Sequence, residues 1–346
     1  MPAAADNFGM HCDRIRRSKF SSQAPKLMIL QWHMANPIPR RSFVNLCLRA
    51  GVASAALVKL DQRPTVAVEP IKRPGSPRLL LSLAAYSFRD YFVSTSHKRD
   101  KETDTAKRID MFQFVDYCAD HGCQGAEVTS YYFPSDVDHA YLTKLKRHAF
   151  LRGVALSGTA VGNTFTHSAG EKRNNEIASV KKWIDRAQTM GAPHVRVFAG
   201  GTERNSKADA KKLCIEALEE CCAYAGTKGI VLGLENHGGI VPEADDTVDI
   251  VRAVQSPWIG INLDTGNFNT ADPYADIAKC APYAVNVQFK SEIHRRGQKK
   301  EATDFDRVMK ILHEANYQGY VALEYEAAED PWQAVPGLLK RMKESF

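Results

Sequence analysis

Residues 230–239 read IVLGLENHGG, and this stretch indicates the fold. An apolar run typical of a buried strand ends in a carboxylate, an amide, an imidazole and two glycines. A buried carboxylate without a partner costs several kcal/mol, so Glu235 at the end of such a strand needs a partner or a function. The same order, an apolar run that ends in polar side chains, recurs along the chain.

Eight such runs alternate with amphipathic stretches of helical period. The predicted strands lie at 79–88, 125–133, 154–162, 194–200, 230–239, 259–267, 284–290 and 320–326. The predicted helices lie near 104–121, 135–152, 171–190, 206–227, 243–255, 273–281, 303–316 and 330–344. Eight βα units predict an α/β fold, a (β/α)8 TIM barrel. A doubly wound sheet is the competing architecture, but it usually has fewer strands, and the βα turns carry no GxGxxG or GxxxxGK[ST] motif.

Residues of one parity share a face of a strand, because successive side chains alternate across it. On four consecutive predicted strands, one face runs from small or apolar residues to polar ones toward the C-terminal end. These ends form the mouth of a barrel, where barrel enzymes place their active sites. The four strands thus direct one oxygen ligand each to the mouth: Glu235, Asp264, Gln288 and Glu324.

These four side chains form a candidate metal site. Three carboxylates in one pocket repel each other, so protonation, basic partners or a divalent cation must compensate. Three carboxylates and an amide oxygen suit one hard cation, Mn²⁺ or Mg²⁺, with Co²⁺ as a further candidate. The absence of His and Cys among the four argues against zinc. A strand-end carboxylate taken alone is more often solvated or salt-bridged, and the repetition on four strands favours the metal.

The composition is that of an ordinary globular protein, with 346 residues of which 44% are hydrophobic and 25% charged. No apolar run reaches the ~20 residues that span a bilayer, so no membrane span is expected. Residues 1–76 hold 12 Lys and Arg against 4 Asp and Glu, and the remaining 270 residues hold 34 against 36. The slightly acidic body argues against a nucleic-acid partner. No CxxC pair is present, and the cysteines on predicted helices are expected to be buried thiols: Cys118, Cys214, Cys221 and Cys222.

Residues 1–76 form a leader and linker before the predicted barrel at 77–346. The sequence RRSF at 40–43 is followed by a modestly apolar stretch at 44–58. Charged, apolar and polar segments in this order describe a signal peptide, and RRSF resembles a twin-arginine export signal. We therefore expect an exported, periplasmic protein with its signal around residues 34–60. The alternative is a disordered basic tail on a cytoplasmic protein. If translation starts at Met34, residues 1–33 are not part of the protein.

Six motifs resemble those of the sugar phosphate isomerase/epimerase superfamily, whose barrels are of the xylose isomerase type. They are GAEV at 125–128, HVRVFAG at 194–200, LENHG at 234–238, LDTGN at 263–267, VQFK at 287–290 and LEYE at 323–326. The resemblance covers residues 78–345 and implies a divalent metal ion held by the four side chains at the mouth. The chain departs from it at Asn267, where many members have histidine. Barrels of the endonuclease IV type use several histidines, and only His237 falls within these motifs, so DNA repair is not expected.

The resemblance also implies a chemistry. Epimerases of this superfamily use two metal-bound glutamates on opposite sides of the substrate, and these correspond to Glu235 and Glu324 as the catalytic pair. A metal ion at this site would polarise a carbonyl and stabilise the enediolate that forms when the α-proton leaves. The expected activity is a metal-dependent sugar isomerase or epimerase acting on a small-molecule carbohydrate. The sequence leaves open whether the chain forms a homo-oligomer.

Two other activities stay open. A metal-dependent lyase or dehydratase, such as a 3-keto-glycoside eliminase or a dehydroshikimate-type dehydratase, begins with the same proton abstraction. It differs in the departure of a β-leaving group, which ligand motifs do not reveal. A non-catalytic sugar-binding barrel is the third activity, and the presence of all four ligands argues against it.

Four further side chains are candidates for substrate binding: His237, Lys290, Arg196 and Asn163. His237 shares a face with Glu235 and is predicted to contact a substrate hydroxyl or to orient that glutamate, with a structural histidine as the alternative. Lys290 is predicted to bind a substrate oxygen or phosphate, with a rim ion pair as the alternative. Arg196 is expected to neutralise a pocket carboxylate, with Glu127 as its partner. Asn163 is expected to line the pocket.

Two segments near the predicted mouth have a less specific interpretation. Tyr86 and Phe88, after the first strand, are candidates to pack on the apolar face of a sugar, although core positions are more typical of such residues. The basic run HRRGQKK at 294–300 is interpreted as a solvated loop. Covering of the site or attraction of an anionic substrate is the alternative.

Overall fold

A closed ring of parallel strands forms the centre of the computed structural model, which describes residues 68–202 and 204–346. The strands are β1 (Arg78–Ala84), β2 (Gly125–Thr129), β3 (Ala155–Ala160), β4 (His194–Val197), β5 (Val231–Glu235), β6 (Ile259–Asp264), β7 (Ala284–Phe289), β8 (Glu292–His294), β9 (Lys300–Ala302) and β10 (Gln318–Leu323). All except β8 and β9 belong to the ring, in the order β1-β10-β7-β6-β5-β4-β3-β2. The predicted (β/α)8 TIM barrel is confirmed. The predictions about the leader and its export signal lie outside the described residues.

Helices follow the barrel strands and pack around them. They are α1 (Met111–Asp120), α2 (His139–Leu151), α3 (Glu171–Met190), α4 (Lys207–Lys228), α5 (Ala244–Ala253), α6 (Pro273–Cys280), α7 (Phe305–Glu314) and α8 (Pro331–Glu344). The apolar sides of these helices and the outer faces of the strands form one buried core. The period-2 and helical patterns therefore predicted the order of the elements correctly.

The start of α1 differs from its prediction near residue 104. The Asp110 side chain accepts a hydrogen bond from the Gln113 backbone N–H at 2.9 Å, and the Gln113 side chain accepts one from the Asp110 backbone N–H at 2.8 Å. This reciprocal pair satisfies two free N–H groups of the first turn and fixes the start at Met111. The residues before it include only a short 3-10 turn, Thr105–Lys107.

Strand register brings the four predicted ligands to one level of the barrel. Glu235 and Asp264 are the last residues of β5 and β6, and Asp264 pairs with Gln288 of β7. Glu324 directly follows the last residue of β10. Because β5, β6, β7 and β10 are neighbours in the ring, all four side chains lie at one side of the mouth.

The barrel interior below this level contains polar side chains that bond to one another. The hydroxyls of Ser82 and Ser157 lie 2.8 Å apart, and His194 Nδ1 donates to the Ser157 carbonyl at 3.2 Å. Gly158 leaves room for the imidazole, since a Cβ at this position would lie 1.8 Å from His194 Cε1. Burial lowers the pKa of His194 to about 4, so the ring is neutral at physiological pH.

The basic run at 294–300 forms the turn and inner ends of a two-stranded antiparallel hairpin, β8 and β9, and residues 296–300 are exposed, in agreement with the predicted solvated loop. Its turn contains Gly297 at φ 76°, a conformation that glycine adopts without strain. Arg295 Nε lies 2.8 Å from a Glu301 carboxylate oxygen, and Arg296 Nη2 lies 2.7 Å from a Glu243 carboxylate oxygen. Two of the basic residues in the run therefore hold the hairpin in place.

The cysteines of the described residues are buried and free, as predicted. Burial raises the pKa of thiols such as Cys214, to about 12, which keeps them protonated and unreactive. Among the described helices, none combines the length and the apolar character needed to cross a bilayer.

Candidate active site

Four buried side chains converge at the barrel mouth, with exposed fractions of 3% for Glu235, 0% for Asp264, 1% for Gln288 and 7% for Glu324. Burial raises the pKa of all three carboxyls, to about 7 for Asp264 and about 8 for Glu324. The cause is the loss of water, which would stabilise the charged forms. Two basic side chains oppose this effect.

Arg196 is the counter-ion of Glu235. Its Nε lies 2.9 Å from Glu235 Oε2, and its guanidinium lies 3.9 Å from the centre of the Phe198 ring. Asn267 Nδ2 donates to the other carboxylate oxygen, Oε1, at 2.9 Å. Arg196 therefore neutralises a pocket carboxylate as expected, but the predicted partner, Glu127, is wrong.

Lys290 lies among three carboxylates. Its Nζ is 3.2 Å from Asp264 Oδ2, 3.1 Å from Glu324 Oε1 and 2.7 Å from Glu326 Oε2. Burial lowers the pKa of Lys290, but these carboxylates outweigh burial and hold that pKa well above its usual value. The ammonium thus supplies positive charge that offsets the repulsion among these carboxylates.

A buried amide network lies directly beneath the carboxylates. Gln288 Nε2 donates to Glu127 Oε1 at 2.6 Å, and Gln288 Oε1 accepts from Asn262 Nδ2 at 2.6 Å. Asn286 Nδ2 donates to Glu127 Oε2 at 2.6 Å and to Asn262 Oδ1 at 2.8 Å. Burial raises the pKa of Glu127 to about 7, although the hydrogen bonds from Gln288 and Asn286 act to lower it. The network fixes which way the Gln288 amide faces, and sequence reasoning missed it although strand parity placed Asn262 and Asn286 on the same faces.

The remaining predicted substrate-binding residues lie on the β3 and β5 sides of the mouth. Asn163 is bound at both ends of its amide to the Phe198 backbone, donating to the carbonyl at 2.8 Å and accepting from the N–H at 2.9 Å. His237 is exposed and packs on the Phe198 ring, with ring centres 4.5 Å apart. Both hold the segment around Phe198, and their contacts with substrate stay predictions.

The two aromatic candidates after β1 divide between the site and the core. Phe88 is fully buried and packs against Tyr117 and Trp332, with ring centres 4.9 and 4.7 Å away. Tyr86 is half-buried, and burial together with the charges of Glu326 and Glu324 raises the pKa of its phenol to about 12. Only Tyr86 therefore remains a candidate for contact with a substrate.

Comparison with known protein families assigns this barrel. The sequence pattern of the xylose isomerase-like TIM barrel matches residues 115–342, more than half of the chain. The chain belongs to the xylose isomerase-like TIM barrel family. Membership agrees with the superfamily that the sequence motifs resemble.

Relatives of this xylose isomerase-like barrel include enzymes of two reaction types. An inosose dehydratase of Clostridium beijerinckii is 23% identical over 274 residues, which cover 68% of this chain and 88% of that protein. Among solved structures, the 3-keto-D-glucoside 4-epimerase of E. coli is similar with 16% identity and a TM-score of 0.59, over 77% of this chain and 100% of that one. An IolI protein with a bound zinc atom is 17% identical with a TM-score of 0.59, over 77% of this chain and 96% of that one.

The donor set of this xylose isomerase-like barrel fits a metal ion in its chemistry. Asp264 Oδ2 is buried and makes no hydrogen bond, and the charge that faces it is the Lys290 ammonium at 3.2 Å. Three carboxylates and an amide oxygen suit a hard divalent ion. In the described part of the chain, however, no three His, Cys, Asp or Glu side chains are positioned to hold one. The Lys290 ammonium lies against Asp264 and Glu324, so a metal ion bound by both would have to displace it.

Proposed function

We propose that this xylose isomerase-like barrel is a divalent-metal-dependent sugar isomerase or epimerase that removes a proton α to a carbonyl. The pair Glu235 and Glu324 carries the proposal. These glutamates come from β5 and β10, which β6 and β7 separate in the ring, so they flank the space above Asp264. Each is buried and lies against a basic side chain.

The proposed metal ion is Mn²⁺ or Mg²⁺, with Co²⁺ as a further candidate, held by Glu235, Asp264, Gln288 and Glu324. When bound, it would polarise the substrate carbonyl and stabilise the negative charge that develops on its oxygen. Both ends of the Gln288 amide bond to the network beneath, so Oε1 would bind the ion in addition to its hydrogen bond from Asn262. The Lys290 ammonium lies closer to Glu326 than to Asp264 or Glu324. It can therefore stay paired with Glu326 when Asp264 and Glu324 bind the metal ion.

The two glutamates perform the proton transfers in this proposal. Glu235 accepts the α-proton on one face of the sugar, with the Arg196 guanidinium 2.9 Å from its Oε2 as counter-ion. Glu324 delivers a proton from the other face, because burial favours its protonated form. Delivery to the same carbon inverts its configuration and gives an epimer, and delivery to the neighbouring carbon gives an isomer. Arg196 and Asn267 hold the Glu235 carboxylate in position during the transfer.

A dehydratase or related lyase is the second candidate, and the inosose dehydratase among the relatives favours it. The same α-proton abstraction would then be followed by loss of a β-hydroxyl, which needs a proton on the departing oxygen. Glu324, the proton donor named above, and His237 are groups at the mouth that could supply it. Product mass distinguishes the two reactions, since elimination removes water and epimerisation leaves the mass unchanged.

The proposal is tested by exchange of the α-proton in D₂O with the Mn²⁺-loaded protein. The substrates are free ketoses, keto-glycosides, an inosose and dehydroshikimate, followed by NMR and mass spectrometry. We expect exchange with one class and a loss of at least about 100-fold in E235Q and in E324Q, as removal of an acid–base group causes. Glu314→Gln, an exposed change on α7, is the matched control. Full turnover in both site variants would refute the acid–base assignment, and a protein without divalent ions, with an unchanged melting temperature in Mn²⁺, would refute the metal.

A further inference from the structure

A polar cavity of about 210 Å³ lies beside the candidate active site. The loop after β6, the end of β7, the β8–β9 hairpin and the segment after β10 enclose it. Its wall includes Asn267, Asn269, Lys290, Glu292, Lys300 and Glu326. This volume falls short of the ~300–1,000 Å³ of pockets that take a drug-sized ligand, so it suits a single small ring.

The cavity adjoins the proposed catalytic glutamates, although neither of them lines it. Lys290 forms part of its wall and lies 3.1 Å from Glu324 Oε1. Asn267 forms another part and donates to Glu235 Oε1 at 2.9 Å. One side chain therefore separates the cavity from each glutamate, and a molecule held between the glutamates can extend into it.

Several polar groups of the wall are uncommitted. Asn269 and Lys300 are exposed, Ser291 and Glu292 are partly exposed, and no hydrogen bond or ion pair joins these side chains to another residue that the structure describes. By contrast, Arg295 and Arg296 of the same hairpin are held by Glu301 and Glu243. The hairpin thus uses its arginines to fix its position and leaves an ammonium, a carboxylate, an amide and a hydroxyl for a ligand.

The mixture of these groups identifies the ligand chemistry. Ammonium and amide N–H groups donate, whereas carboxylate and amide oxygens accept. A sugar hydroxyl does both, so a polyhydroxylated ring can satisfy all of them. A phosphate only accepts at neutral pH, and the carboxylates of Glu292 and Glu326 in the same wall would repel it.

We propose that this cavity binds a second sugar ring, so that the substrate is a glycoside whose reacting sugar lies between Glu235 and Glu324. This inference rests on the proposed function for the position of the reacting sugar. Recognition of the second ring rests on the cavity alone. With a free monosaccharide or a sugar phosphate bound, these groups would contact water instead of a ligand.

Calorimetry and saturation-transfer NMR test the proposal with cellobiose, maltose and trehalose, against glucose and glucose 6-phosphate. We expect the wild type to bind one disaccharide at least about tenfold more tightly than glucose, a difference of about 1.4 kcal/mol. Asn269→Ala and Lys300→Ala should each remove most of that difference without changing glucose binding. Lys299→Ala is the matched control, since it removes the same charge from the neighbouring exposed position outside the cavity wall.

Three results would overturn the inference: no disaccharide bound more tightly than glucose, glucose 6-phosphate bound most tightly, or equal losses in K299A and K300A. The experiment distinguishes failure of this inference from failure of the proposed function. A protein that binds a disaccharide through Asn269 and Lys300, yet exchanges no α-proton from any keto-sugar, retains the cavity and loses the proposed reaction.

Discussion

Replacement of Lys290 by methionine tests how the carboxylate cluster is stabilised. Lys290 is 8% exposed, and its ammonium lies within 3.2 Å of oxygens of Asp264, Glu324 and Glu326. Methionine keeps most of the side-chain volume and removes the charge. Removal of one partner from a buried ion pair typically costs about 3–5 kcal/mol, because the remaining charge stays buried without compensation. With an unfolding entropy of about 2.1 cal/mol/K per residue, that loss lowers the melting temperature of a chain of this size by about 4–9 °C.

The loss of unfolding free energy in K290M depends on pH because the carboxyls near Lys290 bind protons. The pKa values of Asp264 and Glu324 in the folded protein, about 7 and about 8, lie above their usual values. Below those values the carboxyls bind protons, and the ammonium then has less negative charge to neutralise. We therefore expect the difference in unfolding free energy between wild type and K290M to be largest above about pH 8 and to shrink toward pH 5.

The assay is urea and thermal unfolding at pH 5.5 and pH 8.5, with EDTA and with Mn²⁺. In K290M, Mn²⁺ should raise the melting temperature more than in the wild type, because the ion no longer competes with an ammonium for Asp264 and Glu324. Lys279→Met is the matched control, since Lys279 is half-exposed in its pair with Asp245 and surface pairs contribute about 0–1 kcal/mol. A loss below about 1 kcal/mol in K290M, or an equal response of both proteins to Mn²⁺, would refute the reasoning.

Three further predictions concern the barrel interior and the leader. His194 stays neutral in the folded protein with a pKa of about 4, below the usual 6.5, so stability is lost as pH falls from about 6.5 to 4. Between pH 7 and pH 4 the wild type should lose up to about 3 kcal/mol more than H194Q in urea unfolding, and parallel curves would contradict this. Gly158→Ala should lower the free energy of unfolding by about 1–3 kcal/mol or more, because the new Cβ would lie 1.8 Å from His194 Cε1. A change under about 0.5 kcal/mol in the same assay would show that the imidazole can move. If the twin-arginine signal is used, N-terminal sequencing of native protein should find a start beyond residue 40, and a mature chain that starts earlier would exclude export.

The fold and the position of the carboxylates could be predicted from the sequence because both depend on short-range periodicity. Alternation within each strand identified Glu235, Asp264 and Glu324 as inward residues at strand ends, and the βα rhythm placed those ends at one side of the barrel. The four ligand candidates therefore needed no knowledge of packing. Their convergence is a consequence of topology.

The pairing of charges could not be predicted in this way. Arg196 had two carboxylates within plausible reach, and only the side-chain geometry decides for Glu235 over Glu127. The hydrogen bond between Glu127 and Gln288 joins residues 161 positions apart, which strand parity cannot reveal. The position of the Lys290 ammonium among three carboxylates depends likewise on how a long side chain folds back. These are long-range contacts, and a single sequence does not specify them.

The closure of the ring has a consequence for how the chain is made. Residue Arg78 of β1 pairs with Gln318 of β10, so the strand at one side of this ladder is synthesised 240 residues after the other. At about 5–20 residues per second, β1 waits about 12–48 s on the ribosome with an unpaired edge. Such an edge is a template for association with other chains. The period of greatest aggregation risk for this barrel therefore falls during translation, before the last strand seals the ladder.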